Sequence, residues 1–362
     1  MGLAVAVAIG AVAITVVGSA ESGDGPSSAL PRSFFGVVPQ GPLYPEDLER
    51  MGEGRVGTIR LYVPWAVIDP TDGDDFALAT IDDVVLRAAG NGIEVVPFVF
   101  GTPAWVAELD GETKCAPDCA SYAPRSDQAL AAWRELLAAL VDRYGPDGDL
   151  WTENPDADPL AIRSWQVWNE QNSAAFYQPE PDVDSYANLL ATAEETIHGR
   201  DPGAEVLLGG MFGTPPDGID AWDYLRELYG AGAAENFDAI AVHPYGGQIA
   251  KLEQQVELMR EEVLRAEDEA PTWITEIGWA SSGPPNPYNK GPQGQAEQLE
   301  AAYGLLIEKR SEWDVANVSW YSWRDVVDAP CDWCGGSGLF QADSLENPKP
   351  SWDAYVALTG GS

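Results

Sequence analysis

The chain has 362 residues, 45% of them hydrophobic, and a formal net charge of −38 from 58 acidic and 20 basic side chains. This hydrophobic fraction is enough for a large core and excludes global disorder. The acidic surplus excludes nucleic acid and anionic membrane surfaces as partners, because both attract basic protein surfaces. With only two histidines, a histidine-ligated metal site is not expected, and we predict no cofactor.

The first twenty residues form an apolar run. Residues 2–20 read GLAVAVAIGAVAITVVGSA, which is typical of the hydrophobic part of an export signal ending in small residues. No Lys or Arg precedes the run, and its length is near the lower limit for crossing a bilayer, so residues 1–20 are predicted to be either a signal peptide or a membrane anchor. Residues 21–32 are rich in Ser, Gly and Pro and predict a flexible linker. We therefore expect a secreted or extracellular protein, anchored if the apolar run is retained.

Four cysteines form two close pairs in the sequence, Cys115 with Cys119 and Cys331 with Cys334. In an oxidising compartment such cysteines are expected to form disulfides. Four cysteines allow three pairings, of which we expect the local one. The alternative is a zinc site of four thiolates, which needs a reducing compartment or a buried position.

Strand-like and helix-like segments alternate along residues 33–362. We predict eight strands, at residues 33–38, 58–65, 93–100, 164–168, 205–212, 237–243, 272–277 and 317–323. The predicted helices cover residues 44–52, 80–89, 127–144, 184–198, 222–229, 252–267, 295–309 and 352–358. Near-continuous apolar runs are typical of buried parallel strands, so this alternation predicts an α/β fold with a single (β/α)8 TIM barrel. No GxGxxG follows the first strand and no P-loop occurs, so no nucleotide site is predicted.

Two glutamates lie where predicted strands end. Glu170 follows the run SWQVWN, and Glu276 lies in the run TWITEI. Active residues of such barrels lie at the C-terminal ends of the strands, where opposite strands bring carboxyl groups to about 5–5.5 Å from each other. A carboxylate beside apolar strand residues is costly unless it has a role. We therefore predict that Glu170 and Glu276 form a catalytic pair that cleaves glycosidic bonds.

The residues around these glutamates resemble a known group of enzymes. Asn169 and Glu170 in WNEQN, followed by Glu276 in TEIGW, resemble the signatures of the clan A retaining glycoside hydrolases, in particular families 39 and 5. The resemblance covers roughly residues 33–352 and implies that Glu170 is the acid/base and Glu276 the nucleophile. It also implies that Asn169 binds the sugar 2-hydroxyl. Gln171 stands where many relatives have Pro, so the loop after this strand is expected to differ.

The resemblance assigns roles to further side chains at the ends of strands. Arg60, a lone cation in TIRLYVPW, is implied to support the nucleophile, and a buried cation needs such a carboxylate partner. His243 and Tyr245 in HPY are implied to bind around the nucleophile and the sugar. Trp323, at the predicted end of the eighth strand, resembles the platform under the sugar.

Three more tryptophans, Trp65, Trp105 and Trp279, follow predicted strands. They either line sugar subsites or belong to the core. The predicted activity is retaining hydrolysis of O-glycosidic bonds in an oligo- or polysaccharide. The alternatives are transglycosylation by the same residues and a non-catalytic barrel that only binds carbohydrate. The sugar and its linkage stay open, since both depend on the shapes of loops.

Overall fold

The computed structural model describes residues 30–73, 76–116, 118–329 and 331–361. The apolar run at residues 1–20 and most of the predicted linker lie outside the described residues. One compact unit covers Arg32–Ser362. The Arg32 side chain donates hydrogen bonds to the carbonyls of Val56 and Asn91, so Arg32 belongs to this unit and not to the linker. Within the described ranges, no helix is long and apolar enough to cross a membrane.

Eight parallel strands form a closed barrel in chain order. They are β1 (Phe35–Val38), β2 (Thr58–Pro64), β3 (Glu94–Phe100), β4 (Ser164–Asn169), β5 (Glu205–Phe212), β6 (Ile240–His243), β7 (Thr272–Ile277) and β8 (Val315–Tyr321). Pairing of β1 with β8 closes the barrel. A small antiparallel sheet of β9 (Phe340–Gln341) and β10 (Ser344–Pro348) follows β8. The predicted single (β/α)8 barrel is confirmed.

Helices connect the strands. They are α1 (Pro45–Glu53), α2 (Trp65–Ile68), α3 (Ala79–Gly90), α4 (Ala104–Leu109), α5 (Asp127–Tyr144), α6 (Asp149–Glu153), α7 (Val183–His198), α8 (Ala221–Gly230), α9 (Ile249–Arg265), α10 (Gly291–Glu308), α11 (Arg310–Trp313) and α12 (Pro350–Thr359). Helix α5 begins where its sequence pattern predicts, because the Ser126 side chain accepts a hydrogen bond from the Ala129 amide and caps the first turn. Its buried face includes Trp133, Leu137 and Val141.

Near the N-terminal ends of the strands, one part of the barrel interior is apolar, and another part is polar, where Asn317 donates to Thr58. The apolar part is a buried cluster of Val96, Leu207, Ala239, Ala241 and Trp273. All five lie in or next to strands whose runs are apolar in sequence, and removal of their surface from water stabilises the barrel by roughly 25 cal/mol per Å². This apolar cluster supports the opposite end of the barrel, where other polar residues converge.

Candidate active site

Glu170 and Glu276 lie at the C-terminal end of the barrel, beside His243. Glu276 is in β7, Glu170 directly follows β4, and each glutamate is 8% exposed. One carboxylate oxygen of each glutamate and one ring nitrogen of His243 all lie within 4.8 Å of one another. The barrel thus brings together two carboxyl groups that are 106 positions apart in the chain.

The backbone at the end of β4 decides which side chains enter the site. Trp168 has φ +75° and Glu170 has φ +45°, left-handed conformations that cost free energy for residues with a side chain. The positive φ of Trp168, inside β4, interrupts the alternation of the strand, and the Trp168 ring packs against Phe100 and Trp133. Asn169 and Glu170 then both face the barrel interior. Backbone strain of this kind is found preferentially at functional sites.

Arg60 of β2 connects the polar side chains of the site. It is 1% exposed, and it donates to Glu276 Oε1 at 2.5 Å, Gln166 Oε1 at 2.5 Å and Asn169 Oδ1 at 2.7 Å. The guanidinium carbon also lies 3.9 Å from the centre of the Phe98 ring. A buried cation is tolerated only when its donors are used and its charge is paired. Arg60 therefore both neutralises and orients Glu276.

The two glutamates have different neighbours. The Tyr245 hydroxyl donates to Glu276 Oε2 at 2.7 Å, so both oxygens of Glu276 accept hydrogen bonds. Glu170 Oε1 lies 2.8 Å from His243 Nδ1. His243 Nε2 lies 3.7 Å from Glu276 Oε1. Two donors, one of them charged, thus favour the ionised form of Glu276, whereas among the described residues the side chain of Glu170 bonds to the His243 ring.

Burial and charge move the pKa values of these groups in a consistent pattern. Burial raises the pKa of Glu170 well above its usual range, and the charge of Glu276 raises it further against the opposing effect of Arg60. Burial also raises the pKa of Glu276 above its usual value, although the charge of Arg60 and the hydrogen bonds from Tyr245 and Arg60 partly offset this rise. Burial and the charge of Arg60 hold the pKa of His243 well below its usual range. Glu276 therefore ionises first, while Glu170 keeps its proton and His243 is neutral.

The cluster of Glu170, His243 and Glu276 also has the ligand types of a metal site. However, the Arg60 guanidinium already contacts Glu276 Oε1. A divalent cation bound there would lie beside that positive charge, which is unfavourable. The charge of Arg60 therefore disfavours a divalent cation in this cluster.

Two of the tryptophans that were considered for sugar subsites lie in the core. Trp65 and Trp279 are each no more than 1% exposed. Trp65 packs on Trp133 of α5, and Trp279 packs on Trp320. Neither offers a ring face to a ligand, so the core alternative holds for both. Trp105 is partly buried, and its indole donates to the Asp69 carbonyl.

The expectation that Trp323 forms the sugar platform is not supported by its position. Strand β8 ends at Tyr321, two residues earlier than predicted. Trp323 has already left the barrel wall, is 2% exposed, and donates from its indole to Asp47 Oδ1 at 2.7 Å. Its ring packs between Phe340 and Trp352. Tyr321 lies at the strand end instead, with its ring 6.2 Å from that of Tyr245.

Other side chains around the site were missed from the sequence. Tyr62 lies two residues after Arg60 on β2, so strand periodicity could have found it. Gln166 lies three residues before Asn169 on β4, and the positive φ of Trp168 breaks the alternation between them, so periodicity does not relate these two residues. Tyr62 is 40% exposed at the barrel mouth and stacks on Phe98. Trp333 and Tyr288 lie in the loops after β8 and β7 and stack on each other. No periodic signal marks residues in such loops.

The structure joins Cys115 to Cys119 and Cys331 to Cys334, which is the local pairing predicted from the sequence. The first disulfide lies in the loop after β3, and the second lies in the loop after β8. Both loops extend from the C-terminal end of the barrel, the end that carries the glutamates.

Solved structures with the same fold include several glycoside hydrolases. A family 39 glycoside hydrolase from Bacteroides cellulosilyticus WH2 aligns over 91% of this chain and 64% of its own, with 19% identity and a TM-score of 0.64. A monomeric β-xylosidase from Caulobacter crescentus CB15 aligns over 91% and 69%, with 18% identity and a TM-score of 0.63. The GH53 catalytic domain from Ignisphaera aggregans aligns over 91% and 98%, with 17% identity and a TM-score of 0.59.

At these identities the likeness is one of fold, and the chain spans less than two thirds of the length of the family 39 relative. No curated protein sequence matches the chain significantly. Residues 161–352 match the family model described as glycosyl hydrolase catalytic core. The matched segment is more than half of the 362 residues and contains both glutamates. The chain therefore belongs to the glycosyl hydrolase catalytic core family.

Proposed function

We propose that this protein hydrolyses O-glycosidic bonds of an oligo- or polysaccharide with retention of configuration. The supporting observation is the pair of buried carboxyl groups, Glu170 and Glu276, with oxygens within 4.8 Å of each other. Retaining enzymes hold their carboxyl groups about 5–5.5 Å apart, whereas inverting enzymes leave about 6.5–9.5 Å for a water molecule. The separation therefore favours direct attack by one carboxylate.

The different neighbours of the two glutamates suggest their roles. Glu276, ionised beside Arg60, attacks the anomeric carbon and forms a covalent glycosyl ester, while Glu170 gives its proton to the departing oxygen. In the second step Glu170 takes a proton from water, the water oxygen attacks the anomeric carbon, and Glu276 departs as a carboxylate. The two inversions together retain the configuration.

The surrounding side chains have supporting roles in this proposal. His243 is neutral and, with its proton on Nδ1, donates to Glu170 Oε1, which leaves the other carboxyl oxygen to carry the transferred proton. Tyr245 and Arg60 stabilise the carboxylate of Glu276 when it is free. Asn169 is held by Arg60 through its side-chain oxygen, so its amide nitrogen is available to the sugar 2-hydroxyl.

The names of the similar structures suggest where to look for the substrate. One of them is a β-xylosidase, so xylosides come first, followed by glucosides and mannosides. We also propose that the protein is exported, because it has two disulfides and an apolar N-terminal run. Detection of the mature protein outside the producing cells, with its N-terminus sequenced, tests export and cleavage together.

The proposed function is tested with Glu276→Gly and aryl glycosides. We expect a fall in kcat of at least about a thousandfold, because the covalent step is lost. Azide should restore turnover and yield a glycosyl azide of inverted configuration. Wild-type activity of Glu276→Gly would exclude Glu276 as the nucleophile.

Two further measurements separate the alternative functions. Product analysis at high acceptor concentration distinguishes hydrolysis from transglycosylation, since both use the same glycosyl-enzyme intermediate. Binding of oligosaccharides without turnover, across a broad panel and pH range, would identify a non-catalytic carbohydrate-binding barrel instead.

A further inference from the structure

Tyr245, which donates to Glu276, lies inside a cluster of aromatic rings. The ring centres of Phe212, Tyr321 and Trp333 lie 5.8, 6.2 and 4.9 Å from that of Tyr245. Trp333 is the nearest of these three and meets the Tyr245 ring at 63°. Aromatic rings at such distances attract each other, and close packing excludes other side-chain conformations. Trp333 therefore restricts the position of the Tyr245 ring.

Trp333 is itself held between two loops. Its ring stacks on that of Tyr288, with the centres 4.9 Å apart and the planes 18° from parallel. Tyr288 belongs to the loop after β7, and its carbonyl accepts a hydrogen bond from the Ala280 amide. Trp333 belongs to the loop after β8 and lies between Cys331 and Cys334, which form a disulfide.

The disulfide ties the segment of Trp333 to a turn that is fixed on the barrel. The turn is the short helix Cys334–Gly336. The Gly336 carbonyl accepts hydrogen bonds from the Ser281 amide, the Ser281 hydroxyl and the Lys349 ammonium group. The Cys334 amide donates to Cys331 Sγ at 3.2 Å. The turn holds Trp333 from its C-terminal side, because the Trp333 carbonyl accepts a hydrogen bond from the Gly336 amide. The disulfide anchors the N-terminal side of Trp333 through Cys331, and opening it removes that second anchor.

We propose that Trp333 is a positioning residue that, held by the Cys331–Cys334 disulfide, keeps the Tyr245 hydroxyl on Glu276. The inference rests on the proposed function of Glu276 as nucleophile. When Trp333 is displaced, the Tyr245 hydroxyl is bonded to Glu276 for less of the time, and the charged form of Glu276 loses a donor. Reduction of this disulfide consequently lowers turnover at acidic pH.

The other charged or titratable side chains that face Glu276 come from four strands or their ends. Arg60 of β2 favours the charged form of Glu276, and Glu170 after β4 opposes it when ionised. His243 of β6 is neutral, because burial and the charge of Arg60 hold its pKa low. Tyr321 of β8 is neutral, because burial raises its pKa. Trp333 packs on the Tyr245 ring, whose hydroxyl donates to Glu276, so Trp333 acts on Glu276 through the Tyr245 hydroxyl.

The direct test measures the ionisation of Glu276 by carboxyl ¹³C NMR in protein labelled at glutamate side chains. The Glu276 signal is assigned by its loss in Glu276→Gln. In Trp333→Ala we expect this signal to titrate at higher pH than in the wild type. Trp333→Phe retains an aromatic ring and should retain the wild-type titration. Coincident titration curves for wild type and Trp333→Ala would overturn the proposal.

Kinetics with 4-nitrophenyl β-xyloside, β-glucoside and β-mannoside provide the second measurement. We expect Trp333→Ala to lower kcat/KM on the acidic limb by roughly three- to tenfold, the effect of about one hydrogen bond, and to leave the basic limb unchanged. Tyr245→Phe should lower kcat/KM on the acidic limb by a similar factor. The variant that combines Trp333→Ala with Tyr245→Phe should lower kcat/KM no more than Tyr245→Phe alone. Additive losses would contradict action through Tyr245.

The two disulfides provide a matched pair of variants. Cys331→Ser combined with Cys334→Ser should raise the pH at which Glu276 titrates as much as Trp333→Ala does. Dithiothreitol should cause no further shift in this double variant. Cys115→Ser combined with Cys119→Ser, in the loop after β3, should keep the wild-type titration of Glu276. Equal shifts in both double variants would overturn the role of the Cys331–Cys334 disulfide. If Glu276→Gly is inactive but Glu276 titrates in Trp333→Ala as it does in the wild type, this inference is overturned. The proposed function would stay intact in that case.

Discussion

Two groups of buried side chains inside the barrel are of opposite kinds. Near the N-terminal ends of the strands, Val96, Leu207 and Trp273 belong to an apolar cluster. Toward the C-terminal ends, Glu276 and the guanidinium group of Arg60, which extends from beside Val96, are as thoroughly enclosed but carry charges. Burial stabilises the first group by removing apolar surface from water, whereas it destabilises the second by removing charges from water.

The barrel tolerates the buried charges of its active site because they are paired and because the apolar cluster stabilises the fold. Each buried charge at the C-terminal end is retained through paired hydrogen bonds, and the backbone at Trp168 and Glu170 is strained. The apolar cluster offsets these costs and contributes nothing to the chemistry. Substitutions in the apolar cluster should therefore change the free energy of unfolding, whereas substitutions around Glu276 should change kcat/KM and its pH profile.

Besides Glu276→Gly, the largest expected effect is that of Glu170→Gln, which removes the proton donor and leaves the apolar cluster untouched. With poor leaving groups, kcat/KM should fall by about 10²- to 10⁴-fold, whereas activated aryl glycosides should be slowed far less. The wild-type profile should be bell-shaped, with its acidic limb from Glu276 and its basic limb from Glu170, since Glu276 ionises first. The variant should lose the basic limb. Equal slowing of both substrate classes would show that Glu170 is not the acid.

Arg60→Met should change both stability and chemistry. It leaves Glu276 buried without its cation, so the pKa of Glu276 rises and the acidic limb of kcat/KM moves to higher pH. Unpairing a buried charge costs about 3–5 kcal/mol of unfolding free energy, measured by urea denaturation. Arg60→Lys, which keeps the charge but not the planar fork, should lie between Arg60→Met and the wild type. If the acidic limb of kcat/KM in Arg60→Met coincides with that of the wild type, Arg60 does not stabilise the charged form of Glu276.

Leu207→Ala should affect stability alone. Truncating this fully buried side chain should lower the free energy of unfolding by about 2–5 kcal/mol, while the pH profile of kcat/KM stays as in the wild type. The matched control is Leu264→Ala in α9, where the side chain is exposed and the expected change is within about 0.5 kcal/mol. A shifted pH profile in Leu207→Ala would mean that the two ends of the barrel are coupled.

The smallest expected effect concerns Tyr62, which faces solvent at the mouth of the barrel. Tyr62→Ala should raise KM for oligosaccharides several-fold and leave kcat unchanged, because a ring stacked on a sugar or another ring contributes about 1 kcal/mol. Tyr62→Phe keeps the ring and should keep the wild-type KM. An unchanged KM in Tyr62→Ala would place the substrate elsewhere in the cleft.

The alternation of apolar runs with amphipathic segments was enough to predict the barrel, because buried parallel strands and the helices that cover them have distinct periods. Motif and strand position placed Glu170, Glu276, Arg60 and His243 at one end of the barrel, and the structure brings these four together. The same reasoning could not separate the aromatic residues of the core from those of the cleft. Trp323 and Tyr321 differ by two residues, yet only Tyr321 ends β8.

The sequence by itself determined the barrel, since hydrophobic period and chain order decide it, and its strand-end motifs identified the two carboxyl groups that meet there. The tertiary structure alone decided which side chains surround those carboxyl groups. The left-handed backbone at Trp168 directs Asn169 and Glu170 inward, and the contact of Trp333 with Tyr245 joins loops 88 positions apart. Such arrangements depend on where each strand stops and on how distant loops pack, and neither leaves a periodic pattern in the sequence.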